Sequence, residues 1–183
     1  MSNRTEINPN VNATVINSEM GQATAINPDL AASTAKIVAG TLIADKYEIV
    51  EPLSVSTGEA ELYVCKYDGK EYVAKVYRRQ RAVKPEVITA LKSIKSPYVA
   101  SLFDTGIHNN LPFEILPYYK NGSLQGRKFS MTELKKTIIP CINEALNVLH
   151  QNDIIHKDLK PSNIMLLDDN KSVAIIDFGI SSV

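Results

Sequence analysis

His156-Lys157-Asp158-Leu159-Lys160-Pro161-Ser162-Asn163, followed by Asp177-Phe178-Gly179, is the stretch on which the reading of this chain turns. Asp158 and Asn163 are five residues apart, and Asp177 comes fourteen after Asn163. Between them, Ile164 to Leu167 and Val173 to Ile176 are apolar runs on either side of a polar tip, the pattern of a β-hairpin. A hairpin there gathers Asp158, Asn163 and Asp177 at one mouth. Asp and Asn are also turn formers, and for Asp168, Asp169 and Asn170 at the tip that is the preferred reading. For the other three the ordered spacing favours a site.

The stretch resembles the catalytic core of protein kinases. H-R-D-L-x-x-x-N is met at four of its five fixed positions, Lys157 standing for the arginine, and D-F-G is met in full. The resemblance implies an α+β, protein-kinase-like bilobal fold with an antiparallel β N-lobe and a partial helical C-lobe. It also implies ATP and Mg²⁺ as cofactors and a protein as substrate. Phosphoryl transfer is mostly positioning and charge neutralisation. On the family pattern Asp158 is the catalytic base, Lys160 contacts the transferred phosphate, and Asn163 and Asp177 hold the metal. D-L-K-P-x-N is the wording of kinases that act on serine or threonine, and the chain is similar to the bacterial eukaryotic-like members. Lys157 can meet a phosphate only as a point charge, which argues against control through a phosphorylated activation loop.

Composition agrees with a soluble domain. The 183 residues are 44% apolar and 22% charged with a formal net charge of zero, so neither nucleic acid nor a membrane surface is expected as partner. Arg78, Arg79 and Arg81 form a short basic run that reads as a solvated face. Cys65 and Cys141 lack metal-ligand spacing. No signal peptide is recognisable, and Ile37 to Ala44 is too short to span a bilayer; the expected location is cytoplasmic.

Residues 1–40 contain no aromatic residue and are rich in Asn, Thr, Ala and Ser, a composition that predicts a disordered leader. Within it T-x-I-N occurs three times, at Thr5, Thr14 and Thr24. Two readings stay open: a compositionally biased segment, or repeated motifs that the kinase phosphorylates and that a phosphothreonine-binding partner of the forkhead-associated type then recognises.

Order is expected from about residue 41, with residues 41–117 as the N-lobe and 118–183 as the partial C-lobe. Tyr47 to Leu53, Glu61 to Tyr67 and Glu71 to Tyr77 read as strands, the last two joined by Asp68-Gly69, a strong hairpin signal. Tyr98 to Gly106 and Pro112 to Leu116 read as two more. Val73-Ala74-Lys75 answers the family's V-A-I-K, with Lys75 pairing the α- and β-phosphates. The loop over the phosphates has Ser54 and Ser56 where the family has glycines, then Gly58. The implied nucleotide-binding set is Lys75, Glu86, Ser54, Ser56, Gly58, Leu62, Pro117, Tyr119 and Met165. By the same resemblance Leu116 is expected to guard the back of the adenine pocket, the Pro117 carbonyl and Tyr119 amide to meet the adenine, and His156 to be core packing beside Phe178.

Lys84 to Ile94 reads as a helix with Pro85 in its first turn. Glu86 is its only carboxylate, and in the family a glutamate on this helix holds the lysine. Counted back from Ser96-Pro97, Glu86 falls one residue early, and about 100° of helical rotation would take it off the required face. The alternative is a glutamate favoured by the helix dipole. Ser130-Met131-Thr132-Glu133 is a capping box opening a long helix from Met131 to Gln151, with Ile138, Ile139, Ile142, Ala145, Leu146 and Leu149 as its apolar face.

The resemblance covers about residues 42–183, and the sequence stops just after D-F-G, before an activation segment or A-P-E. Either it is a fragment of a longer kinase or a truncated relative. The function classes left standing are a serine/threonine kinase and a pseudokinase or scaffold that binds partners without catalysis.

Overall fold

Residues 36–53, 58–79, 84–179 and 181–182 are described by the computed structural model. Ser54, Ser56, Arg81, and Thr5, Thr14 and Thr24 with most of the expected leader lie outside them. Eight strands are described: β1 (Leu42–Ile43), β2 (Tyr47–Pro52), β3 (Ala60–Tyr67), β4 (Lys70–Tyr77), β5 (Asp104–His108), β6 (Leu111–Pro117), β7 (Ile164–Leu166) and β8 (Val173–Ile175). The first six form one antiparallel sheet in the order β1-β2-β3-β4-β6-β5, and β7 and β8 pair as a separate hairpin. This is the expected α+β architecture, an antiparallel sheet followed by helices.

Alternation explains the sheet. Tyr47, Ile49, Tyr63, Cys65, Ala74, Val76, Phe113 and Ile115 point to one side and form its core. Asp68 and Gly69 both have positive φ, 49° and 70°, as the tight turn between β3 and β4 requires. Burial pushes the Cys65 thiol up to about 11, so it packs as a protonated, unreactive group.

One expected strand is corrected. Tyr98 to Leu102 does not join the sheet: Tyr98 and Ala100 exchange backbone hydrogen bonds with Ile175 of β8, and the segment meets the sheet only at Phe103, whose N–H donates to the Ile115 carbonyl of β6. The chain is thereby clamped to the hairpin that carries the site, and strand geometry starts only at Asp104.

Helix α1 (Pro85–Ser93) begins with Pro85, whose missing N–H costs nothing in a first turn. It buries Val87 and Leu91 against Leu149, Ile154, Ile175 and Phe178. The long helix runs from Met131 to Gln151 in three parts: α2 (Met131–Glu133), a π-helical stretch Leu134–Ile138, and α3 (Ile139–Gln151). Its capping box is complete, with Glu133 N–H donating to Ser130 Oγ at 3.2 Å and Ser130 N–H donating to Glu133 Oε2 at 2.7 Å. Pro140 accounts for the π stretch: it cannot donate to the carbonyl four residues back, and its ring would strike that oxygen. The widened turn rotates the downstream face. Ile139 is consequently 46% exposed, against expectation, while Cys141 is buried.

Candidate active site

The loop from Ile155 to Asn163 is built on local hydrogen bonds. His156 is buried, its Nε2 lying 2.8 Å from the Ile176 carbonyl and its Nδ1 accepting from the Asp158 N–H at 3.2 Å. A carbonyl can only accept and an amide N–H can only donate, so the ring is the neutral tautomer with hydrogen on Nε2. Phe178 stacks edge-on against it with centroids 5.1 Å apart. His156 thus ties the loop to the segment after β8, the packing role implied by the resemblance.

Asp158 and Asn163 meet directly. Asn163 Nδ2 donates to the Asp158 carbonyl at 2.9 Å and to its Oδ2 at 3.1 Å. Its amide hydrogens are spent there, so the atom it offers a cation is Oδ1. Lys160 Nζ lies 2.7 Å from Asp158 Oδ2. That hydrogen bond holds the Asp158 carboxyl below the usual carboxylate range and raises Lys160 in turn.

Asp177 follows β8 and has φ of 66°, and Lys157 has 65°. Two non-glycine residues in the left-handed region within one loop cluster mark a backbone held by its surroundings. Lys75, on β4, is 5% exposed and donates from Nζ to Asp177 Oδ1 at 2.7 Å. The open side of Gly179 faces this pair. A carbon added there would stand 3.4 Å from Asp177 Oδ1, 3.8 Å from Glu59 Oε2 and 3.9 Å from Lys75 Nζ, so three charged groups surround one point.

Leu62 is paired directly across from Lys75, and Gly58 is exposed just before β3. Pro117 ends β6, and Tyr119 is half-buried just beyond it, its hydroxyl pushed up to about 12 by burial. Met165 lies on β7 and bridges to Ser123. Leu116 lines a small cavity with Glu114, Leu91, Asp177 and Phe178.

Glu86 is corrected. It is exposed in the first turn of α1, and the ion pair of Lys75 runs to Asp177 instead. The one-residue offset is the cause: Val87 takes the inward position and goes fully into the core. Expected as a residue holding the lysine, Glu86 has the position of the dipole-favoured alternative.

Glu114 escaped the sequence reading. It is 5% exposed on β6, and its carboxyl is pushed up by burial. The signal was one charge inside the apolar run Phe113-Glu114-Ile115-Leu116.

Mg²⁺ suits the donor set. Asp177 and Asn163 offer hard oxygens, and this ion takes one or two carboxylates together with phosphate oxygens. Among the described residues no group of three or more His, Cys, Asp or Glu is placed to cage a metal. No helix among them is long and apolar enough to cross a membrane.

Residues 55–183 match the family model described as protein kinase domain. The chain is 30% identical over 169 residues to serine/threonine-protein kinase RIM15 of Saccharomyces cerevisiae, an alignment covering 85% of this chain and 10% of that protein. It is 27% identical over 155 residues to a probable serine/threonine-protein kinase of Clostridium acetobutylicum, covering 78% of this chain and 23% of the relative. With serine/threonine-protein kinase PKH2 of Saccharomyces cerevisiae the identity is 34% over 151 residues, covering 79% and 14%. The chain therefore spans between about a tenth and a quarter of the length of these relatives.

Proposed function

Because the chain belongs to the protein kinase family, we propose that its protein transfers the γ-phosphate of ATP to serine or threonine hydroxyls of a protein substrate. The observation that carries this is the convergence of Lys75, on the sheet, with Asp177, beyond the β7–β8 hairpin, beside a loop in which Asp158 contacts both Lys160 and Asn163.

Each side chain has a task that its chemistry fits. The Asp158 carboxylate, kept ionised by Lys160, orients the attacking hydroxyl and accepts its proton. Lys160 stays cationic and meets the transferred phosphate, while Lys75 meets the α- and β-phosphates. Asn163 Oδ1 and the Asp177 carboxylate would hold Mg²⁺. When bound, that ion supplies neutralisation of phosphate charge and alignment of the phosphate chain. Leu62, Met165, Leu116, Pro117 and Tyr119 frame the adenine, and Gly58 approaches the phosphates; Ser54 and Ser56, expected beside it, lie outside the described residues.

The finer parts of the reading are a cytoplasmic location, autophosphorylation at Thr5, Thr14 and Thr24, and recognition of those sites by a forkhead-associated-type partner. Thermal shift with Mg·ATP and ³²P transfer, on the wild type and on Asp158→Asn and Asp177→Asn, test the core of it. Nucleotide binding and transfer in the wild type, with transfer lost in both variants, is the expected result. Binding without transfer by the full-length protein would leave a scaffold, and absence of both would end the proposal. Phosphopeptide mass spectrometry decides the three threonines.

A further inference from the structure

A lysine that grips nucleotide phosphates needs a carboxylate to aim it, and that carboxylate has to be free when a metal is bound. In this molecule Lys75 donates to Asp177. If Asp177 serves Mg²⁺, as in the function proposed above, the cation competes for the oxygens on which Lys75 depends. An ammonium only 5% exposed is costly without a partner. Helix α1 has none to offer, since Glu86 is exposed and Val87 and Leu91 face inward.

The sheet does offer one. Lys75 and Glu114 are directly opposed in the β4–β6 register, so their side chains leave the same face with Cβ atoms about 4.5–5.5 Å apart. Both are 5% exposed. Tyr77, two residues along β4 and on the same face, donates from its hydroxyl to Glu114 Oε1 at 3.0 Å, and its ring centroid lies 5.1 Å from Lys75 Nζ. Tyr77 thus touches both charges. Glu114 also shares a cavity with Asp177 and Phe178, so no wall separates the two carboxylates.

We propose that Glu114 is the positioning residue of Lys75: a strand-borne carboxylate, oriented by Tyr77, that holds the ammonium toward the phosphates when the cation occupies Asp177. The role expected of a helix glutamate has moved to the neighbouring strand. A buried carboxylate on an otherwise apolar strand is costly unless paired, and the attraction of Lys75 offsets part of what burial does to Glu114. The proposal rests on the kinase reading, and its test separates the two.

The test is the Kd for Mg·ATP, measured by calorimetry on the full-length protein and on Glu114→Gln, Glu86→Gln, Lys75→Met and the double variant Lys75→Met/Glu114→Gln. Glu114→Gln is expected to weaken binding about ten- to a hundredfold, the range of a lost charged hydrogen bond. Glu86→Gln should bind as the wild type does, and Glu114→Gln should cost nothing further once Lys75 is Met. Tyr77→Phe, which keeps both charges, should weaken binding about threefold, and it decides the matter if Glu114→Gln does not fold. Wild-type affinity in Glu114→Gln or Tyr77→Phe, or an equal loss with and without Lys75, overturns the role of Glu114. A wild type that does not bind Mg·ATP overturns the kinase reading itself.

Discussion

Lys75 Nζ donates to Asp177 Oδ1 at 2.7 Å, between residues 102 positions apart in the chain. The contact joins the middle of the six-stranded sheet to the segment that follows the β7–β8 hairpin. Lys75 is buried, whereas the Asp177 side chain is about a third exposed. Removing the carboxylate therefore takes from a buried ammonium the group it now donates to. Asp177→Asn is expected to lower stability by roughly 1–3 kcal/mol, below the cost of breaking a fully buried pair. It should also abolish the thermal stabilisation given by Mg·ATP. Melting curves with and without nucleotide check both.

On the proposed function, the pair Asp158–Lys160 is expected to set the acid limit of activity. The hydrogen bond from Lys160 keeps the Asp158 carboxyl below its ordinary 3.8, so its basic form persists to lower pH than that of a free aspartate. Lys160→Met removes the leading cause of the depression. The acid limb of the rate profile, normalised to each protein's own maximum, should then move to higher pH. A limb that stays in place, or moves down, contradicts the assignment.

Glu114 titrates in the opposite sense. Burial raises its carboxyl above the ordinary 4.5, so folding favours the protonated form. Its contribution to stability is complete below about 4.5 and is lost as pH rises through the folded-state value. Glu114→Gln should flatten that part of the stability curve, as followed by urea denaturation at stepped pH.

The capping box at Ser130 opens the long helix that leads to the catalytic loop. Ser130→Ala leaves the Glu133 amide without its acceptor and should cost about 1 kcal/mol. Because the cap lies outside the cleft, the Kd for Mg·ATP should not change.

Much of the site was legible because it is local. Asp158, Lys160 and Asn163 lie within six residues, and a short loop holding a buried histidine leaves their side chains little room to be anywhere else. The hairpins were legible for the same reason: Asp68-Gly69 has one turn to make, and the tip at Asp169 closes by accepting from Lys171 and Ser172. The assignment of Glu86 failed because a motif aligns letters, whereas a helix presents faces. One residue of offset is about 100° of rotation, enough to put Val87 inside and Glu86 in water. Tyr98 to Leu102 has a strand-like pattern, but the hydrogen-bonding partner of Tyr98 and Ala100 was β8, chosen by packing and not by composition.

Amino-acid order alone determined the family likeness, the strands with their turns, and the identity of the groups around the loop, since each rests on contacts within a few residues. Only the tertiary structure decided which carboxylates surround Lys75. Asp177 reaches it through the packing of the hairpin against the rest of the chain, and Glu114 stands opposite it through the register of two strands nearly forty residues apart. Such pairings are set by how buried surfaces fit together, a property of the assembled core that no short window of sequence contains.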